Sequence, residues 1–160
     1  MIFGISTAAF TFAHVLISLV GILAGFVVLA AMMSDRWARG WNAVFLVTTI
    51  ATSVTGFMFH SAFGPPHVIG IISLVVLAVA LFALHSKALQ GWWRLVYAVT
   101  ATMALYLNFF VGVVQAFQKV PALHSLAPTQ SEPPFLIAQT VVMVAFIALG
   151  FFSVKQFRSV

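Results

Sequence analysis

Histidines on either side of one break in the chain are the residues of this sequence best suited to chemistry. His60 and His67 flank a Gly-Pro-Pro sequence in the stretch TGFMFHSAFGPPHVIG, residues 55–70, and His14 lies inside a long apolar run. Imidazole is the commonest metal ligand and the usual proton carrier near neutral pH. The three histidines are therefore candidate ligands for haem or a metal ion. The alternative for His60 and His67 is that they only cap the helices around a tight turn.

Three amide side chains within apolar runs form the second group of candidates. Asn108 and Gln115 share a helical spacing with small residues, which places them on one helix face, and Gln139 lies in the last apolar run. An amide inside a membrane either bonds to a neighbouring helix or lines a polar cavity. Together with the histidines, the amides predict an outward-facing pocket for a small molecule such as a lipid or quinone. The predicted pocket residues are His14, His60, His67, Asn108, Gln115 and Gln139.

Other chemistry-bearing residue types are scarce, which disfavours an enzyme. The 160 residues include no cysteine, so thiolate chemistry and Cys-ligated metals are excluded. The two acids, Asp35 and Glu132, are predicted on opposite sides of a membrane, so they cannot act as a catalytic carboxylate pair. The nucleophile motif GxSxG does not occur.

The composition indicates that membrane-spanning helices position these residues. The sequence is 63% hydrophobic and 6% charged, against about 25% charged in a soluble domain. Apolar runs of about 20 residues are long enough to span hydrocarbon as a helix. The sequence therefore predicts an all-α integral membrane protein, a single domain over residues 1–160 that forms a bundle of five transmembrane helices. The predicted spans are about 5–33, 42–63, 67–86, 95–117 and 135–154, with an outer loop at 118–134.

Basic residues predict the orientation of this bundle. Six of the seven Lys and Arg residues fall in connections on one side, and only Lys119 falls on the other. Short loops rich in Lys and Arg usually face the cytoplasm. We therefore expect the N-terminus outside and the C-terminus in the cytoplasm, in a bacterial inner membrane. The net charge of +5 then faces anionic lipid, and no nucleic-acid partner is expected. The six residues are Arg36, Arg39, Lys87, Arg94, Lys155 and Arg158.

Spacing within the spans predicts which faces turn inward. Gly21 and Gly25 form a GxxxG pattern, which is typical of close helix packing. Span 3 is almost uniformly apolar and is expected to face lipid, while the other four spans supply the inward faces. The proline-rich outer loop is expected to fold over the mouth of the pocket, with Leu123 and Leu126 as a plug. A polar stripe in span 2 contains Thr49, Ser53, Gly56 and His60.

The segment LNFFVGVVQAFQKVPALHSLAPTQSEPPF resembles part of a family of small bacterial inner-membrane proteins of unknown activity. The resemblance covers about the last third of the chain and implies no activity, cofactor or site residue. Four functions stay open from the residues themselves. The favoured one is the outward-facing pocket, with a lipid or another small apolar molecule as partner. The alternatives are an accessory or structural subunit of a homo-oligomer or larger membrane complex, and a haem- or metal-binding redox protein. A channel or transporter is least favoured, because the sequence shows no inverted repeat, charged relay or acidic ring.

Overall fold

The chain folds into long helices joined by short connections. The computed structural model describes residue 4, residues 6–59 and residues 64–157, and this part of the chain contains no strand. A single 3₁₀ turn, Phe57–Phe59, follows α2, and a π-helical turn, Phe82–Ser86, extends α3. The helices are α1 Thr7–Met33, α2 Arg39–Gly56, α3 Pro65–Leu81, α4 Trp93–Lys119, α5 Pro121–Leu126 and α6 Pro133–Gln156.

Five helices in the described part of the chain are long and apolar enough to cross a membrane, which confirms the predicted number of spans. Each has 21 to 27 residues when the 3₁₀ and π-helical turns are included. At ~1.5 Å per residue, these lengths match or exceed the hydrocarbon thickness. Most of these helices begin two or three residues before the predicted span, because prolines and interfacial residues also adopt helical geometry there.

Local sequence explains where several helices begin. Ser6 caps α1, since its Oγ accepts a hydrogen bond from the amide of Ala9 at 3.2 Å. Proline opens α3, α5 and α6 at Pro65, Pro121 and Pro133, respectively. The first turn of a helix leaves its N–H groups without intrahelical acceptors, so the missing proline donor costs nothing there.

Helix α4 is the centre of the bundle. It packs against α1, α3 and α6, while α1 and α2 form the most extensive pairwise contact. Small side chains on α4 let the neighbouring backbones approach closely, as is usual between membrane helices. The fully buried residues of this face include Ala98, Ala101, Ala104 and Leu105.

The close approach of α1 to its neighbours occurs at the GxxxG pattern. A Cβ added to Gly21 would lie 2.9 Å from Thr48 Oγ1, and one added to Gly25 would lie 2.5 Å from Leu105 Cδ1. Neither glycine therefore has room for a side chain without movement of its neighbours. The interpretation of Gly21 and Gly25 as packing residues is confirmed.

The third span is exposed as the sequence predicts. Helix α3 lies at the periphery and buries Ser73, Leu77 and Ala80, while half of its large apolar residues are exposed. Only 22% of its span is buried within the bundle, so span 3 is largely exposed as expected, although the span formed by α6 is buried still less, at 11%. Apolar side chains suit lipid and protein interior equally, so apolarity alone does not rank helices by burial.

The predicted outer loop between α4 and α6 is partly helical. It contains α5, and its Ala127 is buried against Phe117 and Phe135 at the ends of the flanking helices. Gln130 Nε2 also donates to the carbonyl of Val114 at 3.3 Å, which ties the loop to α4. Leu123 packs against this cluster whereas Leu126 is 55% exposed, and the plug formed by the two stays a prediction together with the pocket.

Glu132 organises the end of this loop. Desolvation acts to raise its pKa, but hydrogen bonds from the Thr129 side chain and from backbone amides outweigh it and hold the pKa below its ordinary value. The Thr129 hydroxyl donates to Glu132 Oε1 at 2.8 Å, and the Ser131 amide donates to Oε2 at 3.1 Å. The carboxylate thus satisfies loop donors immediately before α6 begins.

Candidate functional site

His14 joins α1 to α2. Its Nδ1 lies 2.7 Å from Thr55 Oγ1, and its ring meets that of Phe59 edge-on at 4.9 Å between centroids. The single hydroxyl proton of Thr55 is directed to the carbonyl of Ala51 at 2.7 Å. Nδ1 of His14 is therefore the donor in the contact with Thr55, which leaves Nε2 as the nitrogen with a lone pair.

The polar contacts continue from His14 toward the middle of α1. Ser18 Oγ lies 3.3 Å from Thr52 Oγ1, and one turn further Gly21 faces Thr48, Thr49 and Asn108. We call this set the polar seam. It consists of His14, Ser18 and Gly21 from α1, Thr48, Thr49, Thr52 and Thr55 from α2, and Asn108 from α4.

The corner between α2 and α3 carries two histidines in the sequence, and the structure describes one of them, His67. His67 Nδ1 accepts a hydrogen bond from the amide of Gly64 at 3.2 Å, and its ring lies 5.6 Å from that of Phe57. This bond satisfies a donor at the start of α3, as a capping residue does. His60 lies outside the described residues, so its predicted position beside His67 stays a prediction.

The two glutamines of the predicted pocket make different contacts. Gln115 is part-buried, and its Nε2 lies 3.4 Å from Oε1 of Gln118 on the same helix. Gln139 is buried and donates from Nε2 to the carbonyl of Phe110 at 3.3 Å, which links α6 to α4. The Oε1 atom of Gln139 is buried without a partner in the described structure.

The predicted pocket residues are therefore distributed over several contacts. His14 and Asn108 belong to the polar seam, His67 contacts the start of α3, and Gln139 bridges α4 and α6. Each of these contacts is a helix-to-helix or capping contact. Within the described residues, no group of three or more His, Asp or Glu is placed to hold a metal ion. Since His60 is not described, the outward-facing pocket itself stays a prediction.

A cleft at the opposite end of the bundle combines apolar and polar groups. This end carries Arg36, Arg39 and Lys87, and we call it the basic end. The basic-end cleft lies between α2 and the end of α3 and has a volume of about 470 Å³. The cleft is open along one side, so the protein encloses only part of this volume. Its lining residues are Trp37, Arg39, Asn42, Ala43, Leu46, Val47, Ile50, Leu81, Leu84, His85, Ala88 and Leu89.

One hydrogen bond fixes the polar group deepest in this cleft. Asn42 is 3% exposed, and its Oδ1 accepts the hydroxyl proton of Tyr97, which is fully buried on α4. Trp37 packs edge-on against the Tyr97 ring at 5.6 Å. Because its carbonyl oxygen is taken by Tyr97, Asn42 has its two amide N–H donors to offer to an occupant of the cleft.

The π-helical turn after α3 shapes the other wall. It carries Leu84 and His85, both of which line the cleft. The following Lys87 places its ammonium 5.4 Å from the ring of Phe82 in the turn and 5.5 Å from the ring of Trp93 at the start of α4, so its cation–π contacts join the turn to α4. Single π-helical turns are frequent at functional sites.

Sequence reasoning missed Asn42, Tyr97 and His85 as site residues. Asn42 opens the predicted second span beside basic and aromatic residues, where a polar side chain is ordinary. The tyrosine lies 55 residues away in sequence, and its hydroxyl reveals no partner until the helices are packed. The available signal was weak: a polar amide one turn into an apolar helix.

Comparison with known proteins assigns no function to this geometry. No protein-family model, curated protein or solved structure matches the chain. The function must therefore be argued from the residues of the seam and the cleft.

Replacing Thr55 with valine tests the outer part of the polar seam. Valine keeps the shape of threonine but removes the acceptor of His14 Nδ1. We expect a loss of about 1 kcal/mol in the free energy of unfolding, the size of a typical interhelical hydrogen bond in a membrane. Gln115→Leu is the matched control, because its bond lies at the surface and should be worth almost nothing. Equal losses in detergent-based unfolding of both variants would contradict the assignment.

Proposed function

We propose that the protein binds a small amphipathic molecule, such as a lipid or quinone, in the basic-end cleft. The observation that supports this best is the combination of an apolar wall and a polar end in one cleft. Leu46, Val47 and Ile50 from α2 face Leu81 and Leu84 across it. Such a wall suits an acyl or isoprenoid chain, since apolar surface gains from contact with apolar surface.

The polar end of the cleft defines the head of the ligand. Arg39 supplies a permanent cation, Asn42 supplies amide donors, and His85 supplies an imidazole. All of these groups can donate hydrogen bonds, so the head is an acceptor, either a phosphate oxygen or a quinone carbonyl. The ligand then lies with its head at the basic end and its chain along α2.

The proposed orientation places the cleft at the cytoplasmic surface of a bacterial inner membrane, with the N-terminus outside. Arg36, Arg39, Lys87, Arg94 and Lys155 support this, because they stand at one end of the helices against Lys119 at the other. A periplasmic reporter should be inactive when fused at the C-terminus and active when inserted after Pro128. The reverse pattern would contradict the orientation.

Filling the cleft tests ligand binding directly. Ala43 lines the cleft and is itself exposed, so Ala43→Phe should occupy the ligand space without disturbing the core. We expect about tenfold less of the co-purifying lipid or quinone, equivalent to ~1.4 kcal/mol of binding free energy. Ala148→Phe, on the exposed face of α6, is the control and should retain the ligand. The same molecules in the same ratio from all three proteins would refute the proposal.

An accessory role in a membrane complex is the second candidate. It is supported by the exposed apolar surface of α6, which includes Ile137, Val141, Val144, Ile147 and Phe151. The polar seam also engages its side chains in contacts between helices, as expected of residues that stabilise a scaffold. A ligand-free protein that co-purifies at fixed stoichiometry with another membrane protein, or as a defined oligomer, would favour this role.

A further inference from the structure

The start of α2 lies at the polar end of the basic-end cleft and has no side-chain cap. Its N-cap residue is Ala38, whose methyl group cannot accept a hydrogen bond, and no acid occurs in the first turn. The first N–H groups of a helix have no acceptor within the helix and carry a partial positive charge. Arg39, the first residue of α2, lines the cleft and adds a full positive charge. Such a concentration of positive charge is unfavourable unless an anion offsets it.

A buried amide in the same cleft independently points to an acceptor. Asn42 is 3% exposed and lines the cleft. Its Oδ1 accepts from Tyr97, and its amide nitrogen bonds to none of the described residues. A buried amide requires an acceptor for its protons. A Cβ added to Gly40, in the first turn of α2, would meet no atom within 4 Å, so the protein does not cover this turn there.

The opposite wall of the cleft does not supply the negative charge. The π-helical turn after α3 has the partial negative charge of a helix C-terminus, but the residue that ends it is Lys87, whose ammonium compensates that charge. No Asp or Glu occurs among the residues that line the cleft. The charge that balances Arg39 and the start of α2 must therefore come with the ligand.

We propose that the ligand of the basic-end cleft is an anionic phospholipid whose phosphate binds Arg39, the first N–H groups of α2 and the amide of Asn42. This inference rests on the proposed function of the cleft and narrows its ligand to one chemical class. A helix N-terminus beside a basic side chain is suited to phosphate, and arginine can bind two phosphate oxygens at once.

The other ligands fit the cleft less well. A quinone carbonyl is neutral and leaves the positive charge of Arg39 without a counter-charge. A zwitterionic lipid brings an ammonium group, for which the cleft has no carboxylate. A free phosphate makes no use of the apolar wall, whereas the acyl chains of a lipid lie against Leu46, Ile50 and Leu81.

Binding of defined lipids to the full-length protein in detergent, measured by native mass spectrometry, tests the ligand class. We expect dioleoyl phosphatidylglycerol to bind about tenfold more tightly than dioleoyl phosphatidylcholine, and Arg39→Gln to remove this difference. Arg36→Gln is the matched control, because Arg36 lies at the same end but does not line the cleft. Equal losses in the two variants would mean only a general attraction of anionic lipid to the basic end, and would overturn the proposal.

A second variant gives stability and binding changes of opposite sign. Ala38→Asp places a carboxylate at the N-cap of α2, where it accepts from the first turn and takes the place of the phosphate. We expect the melting temperature to rise by about 2–4 °C, while the affinity for phosphatidylglycerol falls about tenfold. Wild-type affinity for phosphatidylglycerol in this variant would overturn the proposal.

The same assay distinguishes failure of this inference from failure of the proposed function. Tighter binding of ubiquinone than of phosphatidylglycerol would overturn the inference and leave a ligand-binding cleft. Complete competition by glycerol phosphate would assign the site to a free phosphate and would also overturn it. If Ala43→Phe leaves the binding of both lipids and of ubiquinone unchanged, the cleft is not their site, and the proposed function fails together with the inference.

Discussion

Gly25→Ala is expected to lower the free energy of unfolding by about 1–3 kcal/mol, the usual cost of overpacking a filled core. The added Cβ would lie 2.5 Å from Leu105 Cδ1 and 3.0 Å from an atom of the Phe45 ring. Both neighbours are fully buried, so neither can turn into free space. The strain must therefore be relieved by separating α1 from α2 and α4, which are the contacts that hold the bundle together.

Gly112→Ala separates this packing effect from the general effect of alanine in a helix. The nearest atom to a Cβ on Gly112 is Ile22 Cδ1 at 3.8 Å, an ordinary contact. Alanine is also the better helix former by up to ~1 kcal/mol, so this variant should be as stable as the wild type or more stable. Thermal unfolding in one detergent compares the two. A Gly25→Ala protein that melts with or above the control would show that α1 is not closely packed at this position.

Tyr97→Phe is the second substitution with a large expected effect. It removes the hydroxyl that donates to Asn42 Oδ1 and leaves that oxygen buried between α2 and α4. An unsatisfied buried acceptor costs about 1–3 kcal/mol, and we expect a loss within this range. Because Asn42 also lines the basic-end cleft, the same substitution should weaken ligand retention.

A double-mutant cycle with Asn42→Leu isolates this bond. Asn42→Leu alone leaves the Tyr97 hydroxyl without its acceptor, whereas the double variant removes both partners together. Replacing both partners by apolar groups is close to neutral for stability, so the double variant should be less destabilised than the sum of the two single variants. Simply additive losses would mean that the two side chains do not bond in the folded protein.

The five spans could be predicted from the sequence because hydrocarbon requires long apolar helices, whatever their neighbours. The length and apolarity of a helix do not determine its rotation about its own axis, which decides the side chains that face inward. Of the predicted stripe of α2, Thr49 belongs to the polar seam and Gly56 faces His14, whereas Ser53 bonds to the carbonyl of Thr49 in its own helix. The stripe did not include Thr52 and Thr55, which contact α1 in the seam. The rotation of α2 depends on how closely α1 approaches at Gly21 and Gly25. That approach depends in turn on side chains of both α2 and α4.

The contacts of the site residues also could not be predicted from the sequence, because they depend on how the helices pack. His14 was predicted as a pocket residue or cofactor ligand, whereas its partner in the structure is Thr55, which lies 41 residues away and follows no recognisable spacing. The basic-end cleft was not predicted at all. Its walls are leucine, valine and isoleucine, which the sequence distributes over every span, and only the packing of α2 against α3 makes them a cleft.

Site-specific photocrosslinking in native membranes tests the proposed ligand most directly. A photoreactive phenylalanine analogue at Ile50, which lines the basic-end cleft and is half-buried, would contact its occupant, and the same analogue at Val144 would face lipid from the exposed side of α6. The proposal predicts that adducts at Ile50 are dominated by one class of amphipathic molecule, while adducts at Val144 reflect the bulk lipid composition. Identical adduct distributions at the two positions would contradict a binding function for the cleft.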